Sequence, residues 1–373
     1  MNNDKIYVTR PFLPPLEEYN EYLKKIWESG QLTNNGQFHQ QLEQELCNYL
    51  GVKYISLFAN GTLALITALQ AMEIKGEVIT TPYSFVATAH SLVWNGITPV
   101  FVDVDPVYGN LDPEQIEAAI TPKTSAILPV HVYGHPCQHA AIEKIAKNHG
   151  LKVLYDAAHA FGVKENNSSV LNYGDLSILS FHATKVYTTL EGGAIVCHSP
   201  EMKKHIDNLK NFGFRDYHVV SLGINAKMNE VQAAMGLLQL KYIDAALQKR
   251  KQVSDFYFEH LQNTAGLRLL SPAAGVAYNY SYFPVFIDEK TFGKSRDALF
   301  EELMKHNIYG RRYFYPLISH CRPYKDLGSA QQGKMPVAEK IAEQVICLPI
   351  YQDLEMDTVK IICEIIRSFR AEE

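Results

Sequence analysis

The chain has 373 residues, 47% of them apolar and 20% charged, with a formal net charge of −5. That length buries a large core in one large or two smaller domains. The mixed, mildly acidic surface offers no footprint for nucleic acid. No segment approaches the roughly 18 uninterrupted apolar residues of a membrane span, and the start "MNNDKIYVTRPFLPP" lacks the basic-then-apolar pattern of a signal peptide.

From about residue 39 to 200, helical and strand-like segments alternate. "HQQLEQELCNYLG" puts Leu42, Leu46, Tyr49 and Leu50 on one helical face and stops at Gly51. "VKYISLF" reads as a strand and "TLALITALQAM" as an apolar helix. "EVITTP" and "PVFVDVD" read as strands around a helix near Ser84–Asn95. "LDPEQIEAAI" starts a helix, with Asp112 as cap, Pro113 in the first turn and Gln115 at capping-box spacing. "TSAILPVHVYG" and "LKVLYDAAHA" are buried strands separated by a helix around Gln138–His149. Apolar strands with intervening helices predict an α/β fold with a mostly parallel sheet covered on both faces. Beyond residue 200 the pattern changes. A long helix near Asn229–Gln262 leads into an alternating strand, "NYSYFPVFID". A helix near Ser295–His306, a Tyr-rich loop and a last helix, Asp357–Arg370, complete a smaller α+β part. The expected division is 1–235, including the N-terminal segment, and 236–373. The six cysteines are scattered without a CxxC pair, which predicts buried free thiols, a reducing compartment and the cytoplasm.

Ligands collect at the carboxyl ends of the strands of such a sheet. Asn60, Gly61 and Thr62 end one strand and open a helix. They either cap that helix or offer its free N–H groups to a phosphate. Asp156 ends the strand "LKVLY", where a buried carboxylate needs a partner: a helix start, a buried base or a cationic ring nitrogen. His159 is either a satisfied core histidine or a site residue. Lys185 lies in the small, hydroxylated stretch "SFHATKVYTTLEGG", with no acidic neighbour before Glu191. It either faces solvent or is a desolvated amine able to form a Schiff base. Pyridoxal phosphate needs such a lysine, a phosphate cradle, a carboxylate for its ring nitrogen and a flat surface to stack on. Lys185, Gly61–Thr62 with Ser180, Asp156 and an aromatic in "TPYSFVATAH" supply one of each. No metal site is expected.

The segments "TNNGQFHQQLEQEL", "FANGTLAL", "TPYSFVATAH", "YDAAHAFG", "SFHATK…EGGAIV" and "INAKMNEVQAAMG" together resemble the DegT/DnrJ/EryC1/StrS family of nucleotide-sugar aminotransferases, across nearly the whole chain. The resemblance implies the fold type I architecture of pyridoxal 5′-phosphate (PLP) enzymes: a large, mostly parallel sheet domain plus a smaller C-terminal α+β domain. It implies that Lys185 joins the cofactor and shuttles protons, and that Asp156 pairs with the ring nitrogen. Phe85 stacks on the ring, Gly61, Thr62 and Ser180 hold the phosphate, and His159 lies near the phenolic oxygen. Asn225 reaches the phosphate in a neighbouring subunit, which implies a homodimer with sites at the interface. Arg10, Asn34, Tyr313 and Tyr315 are candidates for the nucleotide sugar, with Arg311 and Arg312 as possible phosphate partners. Family members that replace the lysine by histidine act as dehydratases, so Lys185 implies transamination. "SFHATK" resembles the branch acting at carbon 4 of the sugar. The expected reaction converts dTDP-4-keto-6-deoxy-D-glucose to dTDP-4-amino-4,6-dideoxy-D-glucose with L-glutamate as donor, for a glycan such as lipopolysaccharide O-antigen. The alternatives are amination at carbon 3 or of another 4-keto sugar, and a non-catalytic PLP-binding regulator.

Overall fold

The computed structural model describes residues 5–370. Its main sheet has seven strands: β1 (Tyr54–Phe58), β2 (Glu77–Thr80), β3 (Thr98–Phe101), β4 (Thr124–Leu128), β5 (Lys152–Asp156), β6 (Leu176–Ser180) and β7 (Gly193–Cys197). The spatial order is β1-β7-β6-β5-β4-β2-β3. β7 alone runs opposite to the other six strands. The near-continuous apolar character of these strands follows from burial on both faces. In β7, Ala194 and Val196 enter one core while Ile195 and Cys197 enter the other. Helix Gln37–Leu50 covers the first face through Leu42 and Leu46, and α1 (Gly61–Ala71) covers the second through Ala64, Leu65 and Ala68.

The helix expected at Ser84–Asn95 is α2 (Ala87–Trp94). The helix expected from Asp112 is shorter than its pattern: Pro113–Ile116, then a tight 3-10 turn through Ala119. Asp112 does cap it, accepting from the Glu114 N–H at 3.0 Å.

The long helix α3 (Glu230–Leu261) begins with a complete capping box between Asn229 and Gln232. Its first half, through Ala233, Leu237 and Ile243, belongs to the core of the main sheet. Its second half, through Val253, Tyr257 and Leu261, belongs to the C-terminal core. Residue 235 therefore lies within a continuous helix. The C-terminal sheet is antiparallel, β8 (Leu267–Leu269), β9 (Phe283–Ile287) and β10 (Val345–Leu348), with β9 in the centre. The alternation expected in β9 is absent; every residue of it is buried. Phe283, Val285 and Ile287 pack under helices Arg296–Lys305 and Met356–Phe369, while Phe286 packs with Ile341 and Ala342 on the other face. The N-terminal strand Ile6–Tyr7 pairs in parallel with Ile308–Tyr309, so the start of the chain joins the C-terminal part. Among the described residues, no helix is long and apolar enough to cross a membrane.

Candidate active site

The carboxyl ends of β1, β2, β4, β5 and β6 open on one cavity of about 270 Å³. At the end of β1, Asn60 caps α1, its Oδ1 accepting from the Leu63 N–H at 2.8 Å. The cap leaves Gly61 and Thr62 in the first turn, where N–H groups have no carbonyl ahead of them in the helix. A Cβ on Gly61 would lie 3.0 Å from the Ser180 Cβ and 3.3 Å from its Oγ. Glycine there keeps the Ser180 hydroxyl beside the helix start. Gly193, opening β7, is needed for the same close approach, since its Cβ would lie 2.6 Å from the Asn60 carbonyl carbon.

Asp156, 4% exposed, sits at the end of β5. Its carboxylate accepts from the Thr88 hydroxyl at 2.8 Å and from the Ala158 N–H at 3.1 Å. Thr88 is in turn hydrogen-bonded to Ser84 at 2.8 Å, one turn earlier on the same segment. Burial pushes the Asp156 carboxyl up, opposed by the Thr88 and Ala158 bonds and by the positive charge of Lys185. His159 is buried, and its Nδ1 accepts from the Tyr133 N–H at 3.2 Å. Burial, with the charge of Lys185, pushes the imidazole well below its ordinary value. It is therefore neutral, with its proton on Nε2.

Lys185 lies in the loop between β6 and β7, and its Nζ donates to the Tyr282 hydroxyl at 3.2 Å. Burial pushes the amine down to about 8, and Asp156 opposes this. Here the reading of the sequence is corrected. Lys185 has no acidic neighbour in sequence before Glu191, but folding supplies Asp156 as a charge that acts on the amine.

The donor set fits PLP: a desolvated amine, a buried carboxylate that forms no salt bridge among the described residues, a neutral imidazole that donates from Nε2, and a helix start beside a serine hydroxyl. Phe85, 60% exposed, lines the same cavity and presents an aromatic face.

The chain matches the DegT/DnrJ/EryC1/StrS aminotransferase family over residues 16–367. It belongs to that family. Among its relatives, the dTDP-4-amino-4,6-dideoxy-D-glucose transaminase of Shigella dysenteriae is 54% identical over 98% of this chain and 99% of its own length. The Escherichia coli protein of the same name is 52% identical over 96% and 97%. Among solved structures, DesI, in the presence of its TDP-sugar product, superimposes with a TM-score of 0.94 at 34% identity, covering 98% of this chain and 93% of that one. The protein is thus a PLP-dependent aminotransferase of fold type I.

Of the residues that the sequence singles out in this aminotransferase, Gly61, Thr62, Phe85, Asp156, His159, Ser180, Lys185 and Tyr313 line one cavity. Asn225 does not. It is exposed, and its Oδ1 accepts from Lys227 Nζ at 2.8 Å. Arg10 and Asn34 are exposed and do not line the cavity either. Tyr315 turns away from Tyr313. It lies between the Arg296 and Arg312 guanidinium groups, at 4.8 and 5.4 Å, and lines a separate depression with His320 and Glu343. Arg312 is paired with Asp297 at 2.9 Å rather than free for phosphate. Thr88, Tyr282 and Phe314 also line the cavity and were not expected from the sequence. Thr88 carried a usable signal, four residues after Ser84 on a helix. Tyr282 and Phe314 carried none, because the C-terminal part brings them in.

Proposed function

We propose that this enzyme transfers an amino group from L-glutamate to carbon 4 of dTDP-4-keto-6-deoxy-D-glucose, giving dTDP-4-amino-4,6-dideoxy-D-glucose. One observation carries the reading: Lys185, Asp156 and the Gly61–Thr62 helix start converge on one cavity, in a chain 54% identical to a transaminase named for that product. When bound, PLP supplies an electron-withdrawing ring and the carbon that carries the amino group between substrates. Lys185 is the residue that would hold it, through that carbon. Its Nζ would be the base that takes the proton from the α carbon of glutamate and the acid that returns it, with the roles reversed for the sugar ketone. Desolvation keeps enough of the amine neutral for it to act as a base, and the same group is then the acid. Asp156 supplies the negative partner for the ring nitrogen. The Nε2 proton of His159 is available to the phenolic oxygen, and Ser180, Thr62 and the α1 start favour the phosphate.

The test is a panel of dTDP-, UDP- and GDP-linked keto sugars with glutamate, with the amination position of each product determined by NMR. A preference for the dTDP-4-keto sugar is expected; amination at carbon 3, or a different nucleotide, would displace the reading. An absorbance band of bound cofactor that glutamate leaves unchanged would mark a binding-only protein.

We read Asn225 as serving the cofactor phosphate of a partner subunit, so that the active unit is a homodimer with sites at the interface. Support comes from its exposed position outside its own cavity, beside a strip of exposed apolar side chains. Tyr217 is 99% and Leu222 93% exposed, and Phe212 and Ile224 in the same segment are also exposed; exposed apolar side chains grouped this way mark interaction sites. A mixed dimer with Lys185→Ala in one subunit and Asn225→Ala in the other then has one site with both lesions and one with neither. It should keep about half of the activity. Inactive mixed dimers would put both residues in one subunit's site. All six cysteines are free, which supports a reducing, cytoplasmic setting. Lipopolysaccharide O-antigen as the destination of the product rests on the family resemblance alone.

A further inference from the structure

The amine of Lys185 has one hydrogen-bond partner among the described residues, the Tyr282 hydroxyl at 3.2 Å. The two residues come from different parts of the fold. Lys185 lies in the loop between β6 and β7, and Tyr282 directly precedes β9 of the C-terminal sheet. The Tyr282 ring is 7% exposed and boxed on three sides. His159 lies 4.9 Å away at 66°, Tyr313 5.5 Å away at 87° and Tyr133 5.9 Å away at 59°. Packing therefore fixes the position of the hydroxyl independently of Lys185.

We propose that Tyr282 is a positioning residue that holds the Lys185 amine whenever it is released during turnover. This rests on the reading of Lys185 as the residue that joins the cofactor and moves the proton. A neutral amine has two N–H groups and one lone pair. As ammonium, Lys185 donates to the Tyr282 oxygen, and as neutral amine it can accept the phenolic proton; in both states the bond pins the nitrogen at the cavity, where the proton is to be taken. A released lysine without such a partner samples many rotamers, each misplacing the nitrogen. A hydroxyl suits the task better than a carboxylate. It accepts the N–H without a full negative charge that would hold the amine as ammonium. Burial pushes the Tyr282 phenol well up, so it stays neutral. The titratable groups that share the cavity with the amine are Asp156, His159, His182, Glu191, Tyr282 and Tyr313, and the charge of Arg250 acts on Tyr282.

Tyr282→Phe removes one oxygen and keeps the ring packing. Two measurements test the inference. The first follows acylation of Lys185 against pH in the cofactor-free protein, read by peptide mass spectrometry. Loss of the hydroxyl withdraws a group that stabilises the ammonium, so the midpoint should fall by about half to one pH unit. The second is single-turnover kinetics of the loaded enzyme. Both half-reactions should slow roughly three- to tenfold, with KM for glutamate and for the sugar nucleotide unchanged. Should the Phe variant fold poorly, Tyr282→Met removes the same oxygen with a flexible apolar filler and carries the same expectations. An unmoved midpoint together with unchanged half-reaction rates would overturn the role of Tyr282. Borohydride reduction separates this from the underlying reading. Cofactor fixed on Lys185 in both wild type and variant, with the midpoint unmoved, defeats Tyr282 alone, whereas cofactor fixed on a different lysine defeats both.

Discussion

Lys185→Ala abolishes transamination and leaves the fold in place. Among the described residues, the side-chain hydrogen bond lost is the one to Tyr282, whose hydroxyl lines the cavity and can turn to water. The Lys185 side chain lines the cavity, so its removal enlarges that cavity rather than opening a void in the packed core. Chemically the loss is total for the covalent step, since among the described residues no other amine lines the cavity. The proton transfer alone accounts for a loss on the order of a thousandfold. Thermal unfolding of the variant should match wild type, while turnover with glutamate and a keto-sugar nucleotide falls below detection. Borohydride reduction of wild type followed by peptide mapping should find the cofactor on the peptide that contains Lys185. Label on any other lysine would refute the assignment.

Asp156→Asn should leave the cofactor bound and slow both half-reactions. The amide can keep the bond from the Ala158 N–H through its oxygen, and its NH2 can donate to Thr88, which turns its own proton to Ser84. The local structure therefore survives. The negative charge is lost, and with it the partner for a protonated ring nitrogen. A charge-assisted hydrogen bond of this kind contributes about 1.5–3 kcal/mol, or roughly ten- to a hundredfold in rate. The Lys185 amine also loses the charge that opposes its desolvation, so its pKa should fall further below about 8. Single-turnover rates of each half-reaction, with cofactor content measured by absorbance, check this. Unchanged rates would remove Asp156 from the chemistry.

Two kinds of information separate in this protein. The sequence alone was enough for the alternation of buried strands and helices from Tyr54 to Cys197, because period and burial are written locally in residue type. It was enough for the polar residues at strand ends, since Gly61, Asp156 and Ser180 each sit where an apolar run stops. It was also enough for the family, since "SFHATK" with "DAAHA" ahead of it is a dense pattern. Local reading failed where a residue's role depends on a neighbour far along the chain. Asp156 acts on Lys185 only once β5 and β6 lie side by side. Tyr282 reaches Lys185 across 97 residues, and Phe314 joins the expected Tyr313 in closing the cavity from the C-terminal part. Tyr315, two residues from Tyr313, turns instead toward Arg296 and Arg312, where an aromatic face meets two cations. β9 reads as an alternating strand, yet it is buried throughout because helices pack on both of its faces. In each case local propensity sets which element forms, and the packing of distant elements decides which side chains meet and what electrostatic environment they share.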